Sequence, residues 1–322
     1  MRITSFYNKR GFALMAALWL LIAISAVSLE LSTLARTRRL AAANALEGIR
    51  ASAAAESGVE HARARLARRI AEGGDGRTWN DPTAILDPWH GADSTLRDSV
   101  VMDDGAAYRI SVADLGAKVN VNQAGEDDLR RCFAAKSIDA IAADALAQAI
   151  MDWRDADDFR RLHGAERDDY LKAEAPELPR NGPCESVDEL RLVKGMTPGL
   201  LAKVRDDLTV FGSGLVNVNS ANAAVLVSVP GITPLVAEII VGARQAHRRI
   251  ESIRQLTDLL PTQAREPLER AIANAAARLT FDTHEIEVRS EGWVVGSPVR
   301  VRESAVVVRG GSTAVVTWRR VE

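Results

Sequence analysis

The first distinctive feature of the chain is an uncharged, mostly apolar run from Phe12 to Leu29, directly preceded by Lys9-Arg10-Gly11. As a helix, these 18 residues rise about 27 Å, close to the hydrocarbon thickness of a bilayer. Arg2, Lys9 and Arg10 precede the run and no acidic residue does. The positive-inside rule therefore predicts a cytoplasmic N-terminus, with the rest of the chain on the far side of the membrane.

Apolar residues continue to recur beyond the membrane segment, with alanine-rich filling and many arginines between them. This composition favours a helix over residues 12 to 70. The cluster Gly73-Gly74-Asp75-Gly76 is typical of a turn that would end it. The sequence therefore predicts one long helix that leaves the membrane and enters a globular domain.

Alternating apolar and polar residues mark both ends of the remaining chain. Short strands are predicted around the turn Asp103-Asp104-Gly105, and again in β-rich runs over 286–288, 293–295, 299–301, 305–308 and 314–318. Gly310-Gly311 predicts a hairpin between the last two runs. Because about 160 residues of helical pattern separate the two strand regions, we predict a sheet interrupted by a helical insertion.

The helical block contains internal repeats. Val119-Asn120-Val121-Asn122 recurs as Val216-Asn217-Val218-Asn219, and Gly195-Met196-Thr197-Pro198 recurs as Gly231-Ile232-Thr233-Pro234. The second pair resembles the turn of a helix-hairpin-helix, a motif often found on DNA. DNA-binding versions usually read Gly, apolar, Gly, which lets the backbone approach a phosphate closely. Threonine replaces the second glycine in both copies, so we expect structural hairpins and no nucleic-acid binding.

Composition narrows the function further. The net charge is −2, from 41 basic and 43 acidic residues, so no overall field favours nucleic acid. The five histidines form no metal-binding or base–nucleophile spacing, and we predict no enzyme activity. Cys132 and Cys184 are the only cysteines. In an exported domain they could form a disulfide or remain two separate thiols.

Acidic residues are concentrated between the two sets of repeats, in Asp152-Trp153-Arg154-Asp155-Ala156-Asp157-Asp158 and in Gly164-Ala165-Glu166-Arg167-Asp168-Asp169. Hard oxygen ligands on a loop suit Ca²⁺, whereas zinc would require histidine or cysteine. The run does not fit an EF-hand. On the residues alone, a solvated acidic loop remains the alternative to a calcium site.

The sequence Lys9-Arg10-Gly11-Phe12 resembles the leader of type IV pilins and pseudopilins. The resemblance implies cleavage after Gly11 by a prepilin peptidase and methylation of the new N-terminal Phe12, with an uncleaved signal anchor as the alternative. Most members carry glutamate at the fifth mature position, where this chain has Ala16. A subunit without this carboxylate suits a unique place in a filament, most simply its tip.

Several motifs in order resemble the general secretion pathway protein K family, the large minor pseudopilin of type II secretion. They are the leader without glutamate, D-W-x-D-x-D from 152, G-A-E-x-x-x-Y from 164, S-V-x-E-L-R from 186, G-M-T-P from 195 and N-V-N-S-A from 217. The resemblance implies an α+β fold: a long N-terminal transmembrane helix and a pseudopilin antiparallel sheet interrupted by a large helical insertion. We assign a leader to 1–11, the helix to 12–70, the sheet domain to 71–116 and 280–322, and the insertion to 117–279.

The same resemblance implies calcium on the periplasmic side. Asp155, Asp157, Glu166 and Asp169 are the candidate ligands, with Asp152 and Asp168 in reserve. It also implies partners: the I-type and J-type minor pseudopilins, other pseudopilins, the prepilin peptidase and the inner-membrane assembly platform. We therefore expect a single-pass inner-membrane protein at the tip of a pseudopilus that drives export of folded proteins. A type IV minor pilin and a membrane-anchored DNA-uptake protein are the alternatives.

Overall fold

The computed structural model describes residues 9–71, 99–175, 177–246, 248–311 and 313–321. Most of the leader assigned to 1–11 and the glycine cluster at 73–76 lie outside the described residues. The helices are α1 (Lys9–Ala71), α2 (Glu126–Ala135), α3 (Ala140–Arg154), α4 (Arg167–Lys172), α5 (Pro198–Val204), α6 (Ala223–Ser228), α7 (Pro234–Gln245), α8 (Ile253–Leu259) and α9 (Thr262–Ala273). The strands are β1 (Val100–Val101), β2 (Ala106–Asp114), β3 (Val119–Asn120), β4 (Leu208–Thr209), β5 (Val216–Asn217), β6 (Leu279–Thr280), β7 (Glu285–Val294), β8 (Arg300–Gly310) and β9 (Thr313–Val321).

Helix α1 has two halves with different surroundings. Residues 12–46 are exposed along their whole length, and α1 is the one helix within the described ranges that is long and apolar enough to cross a membrane. From residue 51 onward, one face of α1 is buried at positions three or four residues apart: Ala51, Ala54, Ala55, Val59, Ala62 and Leu66. This spacing places the buried residues on a single helical stripe, which packs against the sheet.

The sheet is antiparallel, with the strand order β1-β2-β7-β8-β9. The turn at Gly105 (φ +79°) and the pairing of Gly310 with Thr313 confirm the two predicted hairpins. The predicted separation of the runs 286–288 and 293–295 was wrong, because residues 286–294 belong to the single strand β7; residues 300–308 of the next two runs likewise belong to the single strand β8. Polar residues such as Arg289 and Glu291 face away from α1 and keep the period of two through the middle of the strand.

Two glycines allow α1 to lie directly on β7. A Cβ at Gly292 of β7 would lie 2.1 Å from the carbonyl oxygen of Ala51 and 2.4 Å from the nitrogen of Ala55. A Cβ at Gly58 of α1 would lie 2.1 Å from Oγ of Ser290. Since backbone atoms of α1 occupy the place of a side chain at Gly292, helix and strand approach each other more closely than any other residue would permit.

The inserted domain leaves the sheet at the end of β2 and returns at the start of β7. These two points are neighbours in the sheet, because Asp114 pairs with Ile286 across the strands. The insertion has its own buried core, which is separate from the core between α1 and the sheet. Apart from the two short parallel pairs β3–β4 and β5–β6, its regular structure is helical. The predicted α+β fold with a helical insertion is therefore confirmed, while the exact boundaries stay predictions.

A buried carboxylate joins the inserted domain to the sheet. Asp114, only 2% exposed, accepts hydrogen bonds at Oδ2 from Nδ2 of Asn217 (2.8 Å), Oγ of Ser220 (2.6 Å) and Oγ1 of Thr283 (2.9 Å). Its Oδ1 accepts from the backbone N–H of Gly116 at 2.9 Å. With several hydrogen bonds accepted, the buried carboxylate does not have to be neutralised by a cation.

Candidate functional site

The acidic loop lies between α3 and α4. Its residues run from Asp155, which caps the C-terminus of α3, to Glu166, which precedes the first turn of α4. Asp169 Oδ2 accepts the backbone N–H of Glu166 at 3.2 Å and so fixes the start of α4. The loop is thus held at both ends by helix capping.

The side chain of one arginine, Arg161, lies between two acidic residues of this region. The guanidinium Nη1 of Arg161 lies 2.6 Å from Oδ1 of Asp152 and 2.6 Å from Oδ2 of Asp155. Asp152 has no exposed surface, and its burial raises the pKa of its carboxyl, against the opposing effect of Arg161. A Cβ at Gly164 would lie 1.9 Å from Oδ2 of Asp152, so only glycine lets the chain pass this carboxylate.

Glu166 is the least satisfied acid in the loop. It is 4% exposed, and neither of its carboxylate oxygens has a hydrogen-bond partner. Burial, with added repulsion from Asp152, Asp155 and Asp158, raises the pKa of its carboxyl to about 7. Oδ1 of Asp155 is likewise buried without a partner. Three buried oxygens of two carboxylates without partners are a donor set that suits a hard cation such as Ca²⁺.

The candidate ligands fall into two groups. Asp155 and Glu166 contribute the oxygens without partners. Asp157 is exposed and its Oδ1 accepts the backbone N–H of Phe159, while Asp169 contacts Arg160 at 3.2 Å. Of the two reserves, Asp152 is bound by Arg161 and Asp168 is exposed. Among the described residues, no three acidic, histidine or cysteine side chains already converge at ligand distances.

Two residues of the loop were not identified from the sequence. Arg161 holds the place between two acids, and Asp158 contributes to the repulsion that raises the pKa of Glu166. Asp158 was visible as one more acid in a dense run, but the spacing alone does not show which of these acids lies close enough to Glu166 to affect its pKa. The sequence did not indicate the role of Arg161, because Arg160 and Arg161 are adjacent and only the fold decides which of them contacts Asp152 and Asp155.

The repeated asparagines form two equivalent clamps. Nδ2 of Asn122 donates to the carbonyls of Cys184 (2.9 Å) and Val210 (3.0 Å). Nδ2 of Asn219 donates to the carbonyls of Ile250 (2.7 Å) and Phe281 (2.9 Å). Each clamp joins a short parallel strand to a later segment of the domain. The repeated asparagines therefore have a structural role, because the side-chain amides of Asn122 and Asn219 donate to carbonyl groups within the protein.

The two hairpin turns are also used within the protein. Gly231 has φ +83°, and a Cβ there would lie 2.7 Å from Cα of Leu268 on α9. Thr197 and Thr233 accept backbone N–H groups as N-caps of α5 and α7, each followed by proline in the first turn. A phosphate approaching the second turn at Gly231 would meet α9, so this hairpin packs on its own chain.

The cysteines do not form the possible disulfide. Cys132 and Cys184 are buried free thiols, and burial raises the pKa of each to about 12. Cys184 is fixed by the Asn122 clamp, which accepts its N–H at 2.8 Å. Cys132 lies on α2 near Lys136 and Asp207, which are different surroundings. The disulfide prediction is therefore corrected to two separate thiols.

The N-terminal positions lie on the exposed part of α1. Gly11, Phe12 and Ala16 all belong to this helix. Phe12 is 75% exposed, and Ala16 is also exposed. An apolar helix with no protein packed on it fits a single-pass membrane anchor. Cleavage after Gly11 stays a prediction.

Comparisons with known proteins find two matching family models and a solved structure with a similar fold. Residues 108–213 match the model of type II secretion system protein K, and residues 213–260 match the model of the helix-hairpin-helix motif. None of the curated protein sequences matches the chain. A solved structure with a similar fold is the GspK-GspI-GspJ complex of the type 2 secretion system from enterotoxigenic Escherichia coli, with a TM-score of 0.66 and 19% identity. The similarity covers 88% of this chain and 99% of that one.

Proposed function

The chain belongs to the type II secretion system protein K family, and we propose that it acts there as the minor pseudopilin at the tip of the pseudopilus. In this role the inserted domain forms a cap above the other pseudopilins, and assembly of the filament below it drives folded proteins across the outer membrane. The family is a structural component of a secretion machine rather than an enzyme.

One observation carries this proposal most directly. A single helix, α1, has an unburied apolar first half and a second half whose buried face packs against the antiparallel sheet. Such a helix needs both a bilayer and neighbouring helices to cover it. We infer that the N-terminus is cytoplasmic, that both soluble domains are periplasmic, and that the first half of α1 packs in a bundle with other pseudopilins.

The place at the tip is supported by Ala16 and by the insertion. An alanine cannot accept a proton or a hydrogen bond from the amine of a neighbouring subunit, so one stacking contact is missing. The inserted domain would in addition collide with a subunit stacked above it. Both features favour a position with a neighbour on one side only.

We propose the I-type and J-type minor pseudopilins as direct partners. The similar solved structure is described as a GspK-GspI-GspJ complex, which supports an equivalent assembly for this chain. Other pseudopilins, the prepilin peptidase and the inner-membrane assembly platform are the further partners expected of a subunit that is processed after Gly11 and methylated at Phe12.

We also propose that the acidic loop holds calcium through Asp155 and Glu166, with Asp157 and Asp169 as the remaining candidate ligands. The observation behind this is the set of three buried carboxylate oxygens without partners. Bound calcium would supply the positive charge that these oxygens lack. Asp152 and Arg161 then fix the position of Asp155, because they hold its other oxygen and the backbone of the loop.

Export in a strain without this chain tests the function. We expect folded proteins that are normally found in the medium to accumulate in the periplasm, and a complementing copy to restore their export. A Gly11→Ala copy should stay unprocessed on a gel and fail to complement. If export is normal while twitching or DNA uptake is lost, the chain serves a type IV pilus or an uptake system. Normal processing of Gly11→Ala would refute the prepilin assignment and leave an uncleaved anchor.

A further inference from the structure

The acidic loop presents two large apolar side chains to solvent. Phe159 is 83% exposed and Leu162 is 81% exposed, and no large apolar residue in the described part of the chain is more exposed. They lie three residues apart in the loop between α3 and α4. An exposed single leucine is ordinary, but a phenylalanine and a leucine exposed three residues apart on one loop are a larger apolar area than a single residue would give.

The loop backbone around these side chains is firmly held. The N–H of Phe159 donates to Oδ1 of Asp157 at 2.9 Å, the N–H of Arg161 to Oδ2 of Asp152 at 3.2 Å, and the N–H of His163 to Oε1 of Gln148 at 2.7 Å. Every second residue is thus anchored, two of them to α3. Because these hydrogen bonds hold the loop backbone in the free protein, little backbone entropy is lost when the apolar side chains are covered.

The charge beside this surface is negative. Asp157 and Asp158 directly precede Phe159, are exposed, and form no ion pair within the described ranges; Asp158 accepts only from Nδ2 of Asn181, at 3.1 Å. The two arginines of the loop are engaged with other acids, Arg160 with Asp169 and Arg161 with Asp152 and Asp155. The exposed apolar pair is therefore flanked by carboxylates that no cation of this chain neutralises.

We propose that Phe159 and Leu162 anchor a protein partner that carries an apolar pocket bordered by lysine or arginine side chains. Two exposed apolar residues on a hydrogen-bonded loop, beside exposed carboxylates, are suited to act as anchors, because a few residues of an interface carry most of its binding energy. A membrane is the less suitable occupant, since anionic headgroups would repel the adjacent carboxylates. The proposal rests on the proposed secretion function, in which this loop faces the periplasm.

The test uses full-length variants in a strain without the chromosomal copy. The double variant Phe159→Ala/Leu162→Ala should keep normal abundance and thermal unfolding, because neither side chain is buried. We expect it to lower the amount of exported protein in the medium about tenfold or more. The matched control is Ile141→Ala/Leu235→Ala, which removes two apolar side chains that are 78% and 53% exposed on α3 and α7 and should export normally.

Charge reversal and crosslinking identify the kind of partner. Asp158→Lys should reduce export in the same way, because it places a cation against a basic rim; Asp157 is left unchanged because it is a candidate calcium ligand. A photo-crosslinking residue at position 162 should form a protein adduct in cells that is lost in this charge-reversed variant. The same photo-crosslinking residue at the control position 141 should give no such adduct.

The outcomes separate this inference from the proposed function. If export is normal without the whole chain, the secretion function itself fails. If export requires the chain but Phe159→Ala/Leu162→Ala exports like wild type, the anchor is refuted and the function stands. Loss of export without any protein adduct at position 162 would indicate a lipid contact, and an adduct of twice the chain mass would indicate a second copy. Either result overturns the proposal.

Discussion

Glu166 links calcium to the pH dependence of stability. Its carboxyl has a pKa of about 7 in the folded protein, compared with the ordinary value of 4.5. A folded-state pKa above the unfolded one means that the folded protein binds the proton more tightly. Without calcium, the stability associated with Glu166 is therefore greatest at acidic pH and is lost as the pH rises from about 4.5 through 7.

The size of this effect follows from the pKa shift. Each unit corresponds to about 1.4 kcal/mol, so ionising Glu166 in the folded state costs about 3 kcal/mol at pH 8. The variant Glu166→Gln retains the shape of the side chain but cannot ionise. In EDTA we expect the variant and wild type to have nearly the same free energy of unfolding at pH 4.5. At pH 8 the variant should be more stable than wild type by about 3 kcal/mol.

Calcium should remove most of this difference. At a free concentration one hundred times the dissociation constant it stabilises a one-site protein by about 2.7 kcal/mol, and Glu166→Gln should gain much less because a ligand oxygen is replaced. The assay is chemical unfolding of the full-length protein in detergent between pH 4.5 and 8, with EDTA or calcium. Glu238→Gln, an exposed acid on α7, is the control and should follow wild type throughout. A difference between Glu166→Gln and wild type that does not change with pH, or equal stabilisation of both by calcium, would refute the reasoning.

Three further predictions concern the contact of α1 with the sheet, the Asp114 cluster and the membrane segment. Gly292→Ala should destabilise the protein by roughly 3 kcal/mol or more, because its Cβ overlaps backbone atoms of α1. Gly48→Ala, whose Cβ meets nothing within 4 Å, should instead be neutral or stabilising by up to about 1 kcal/mol in the same denaturation assay. Asp114→Ala should cost roughly 3 kcal/mol or more, since it leaves several buried donors without an acceptor, whereas Asp103→Ala on the exposed turn should not, as measured by urea unfolding. Ala16→Glu should still support export at or slightly below the wild-type level, and complete loss of export would contradict the position at the tip.

The sequence predicted the elements whose signals are local. Period-two alternation and glycine turns located β2 and the C-terminal strands, and the recurrence of the Val-Asn-Val-Asn segment indicated a duplication. The continuity of β7 was missed, because the segment Arg289–Gly292 contains charged residues and a glycine that read as a break. That glycine is required by the helix lying on it, and such contact between distant segments leaves no trace in a local pattern.

The candidate site was predicted less completely than the fold. The sequence identified Asp155 and Glu166, whose oxygens are buried without partners. It gave the same weight to Asp157, which is exposed, and to Asp169, which contacts arginine. Neighbouring acids in one loop are equivalent until the backbone directs each side chain. The possible Cys132–Cys184 bond was wrong for a related reason, since an even number of cysteines carries no information about their separation.

The contacts also indicate how motion of the membrane helix would reach the inserted domain. Gly58 and Gly292 allow α1 to rest on β7 almost without intervening side chains. Arg319 of β9 contacts Glu56 at 3.0 Å and Glu60 at 2.7 Å on α1, and the buried Glu303 of β8 at 3.0 Å. Displacement of α1 along its axis therefore has to carry the sheet with it. The sheet in turn holds the insertion through two adjacent strand ends and the Asp114 cluster. An axial push from below would thus reach the acidic loop and its apolar pair through close-packed or hydrogen-bonded contacts, which suits a subunit that is proposed to transmit force rather than to catalyse a reaction.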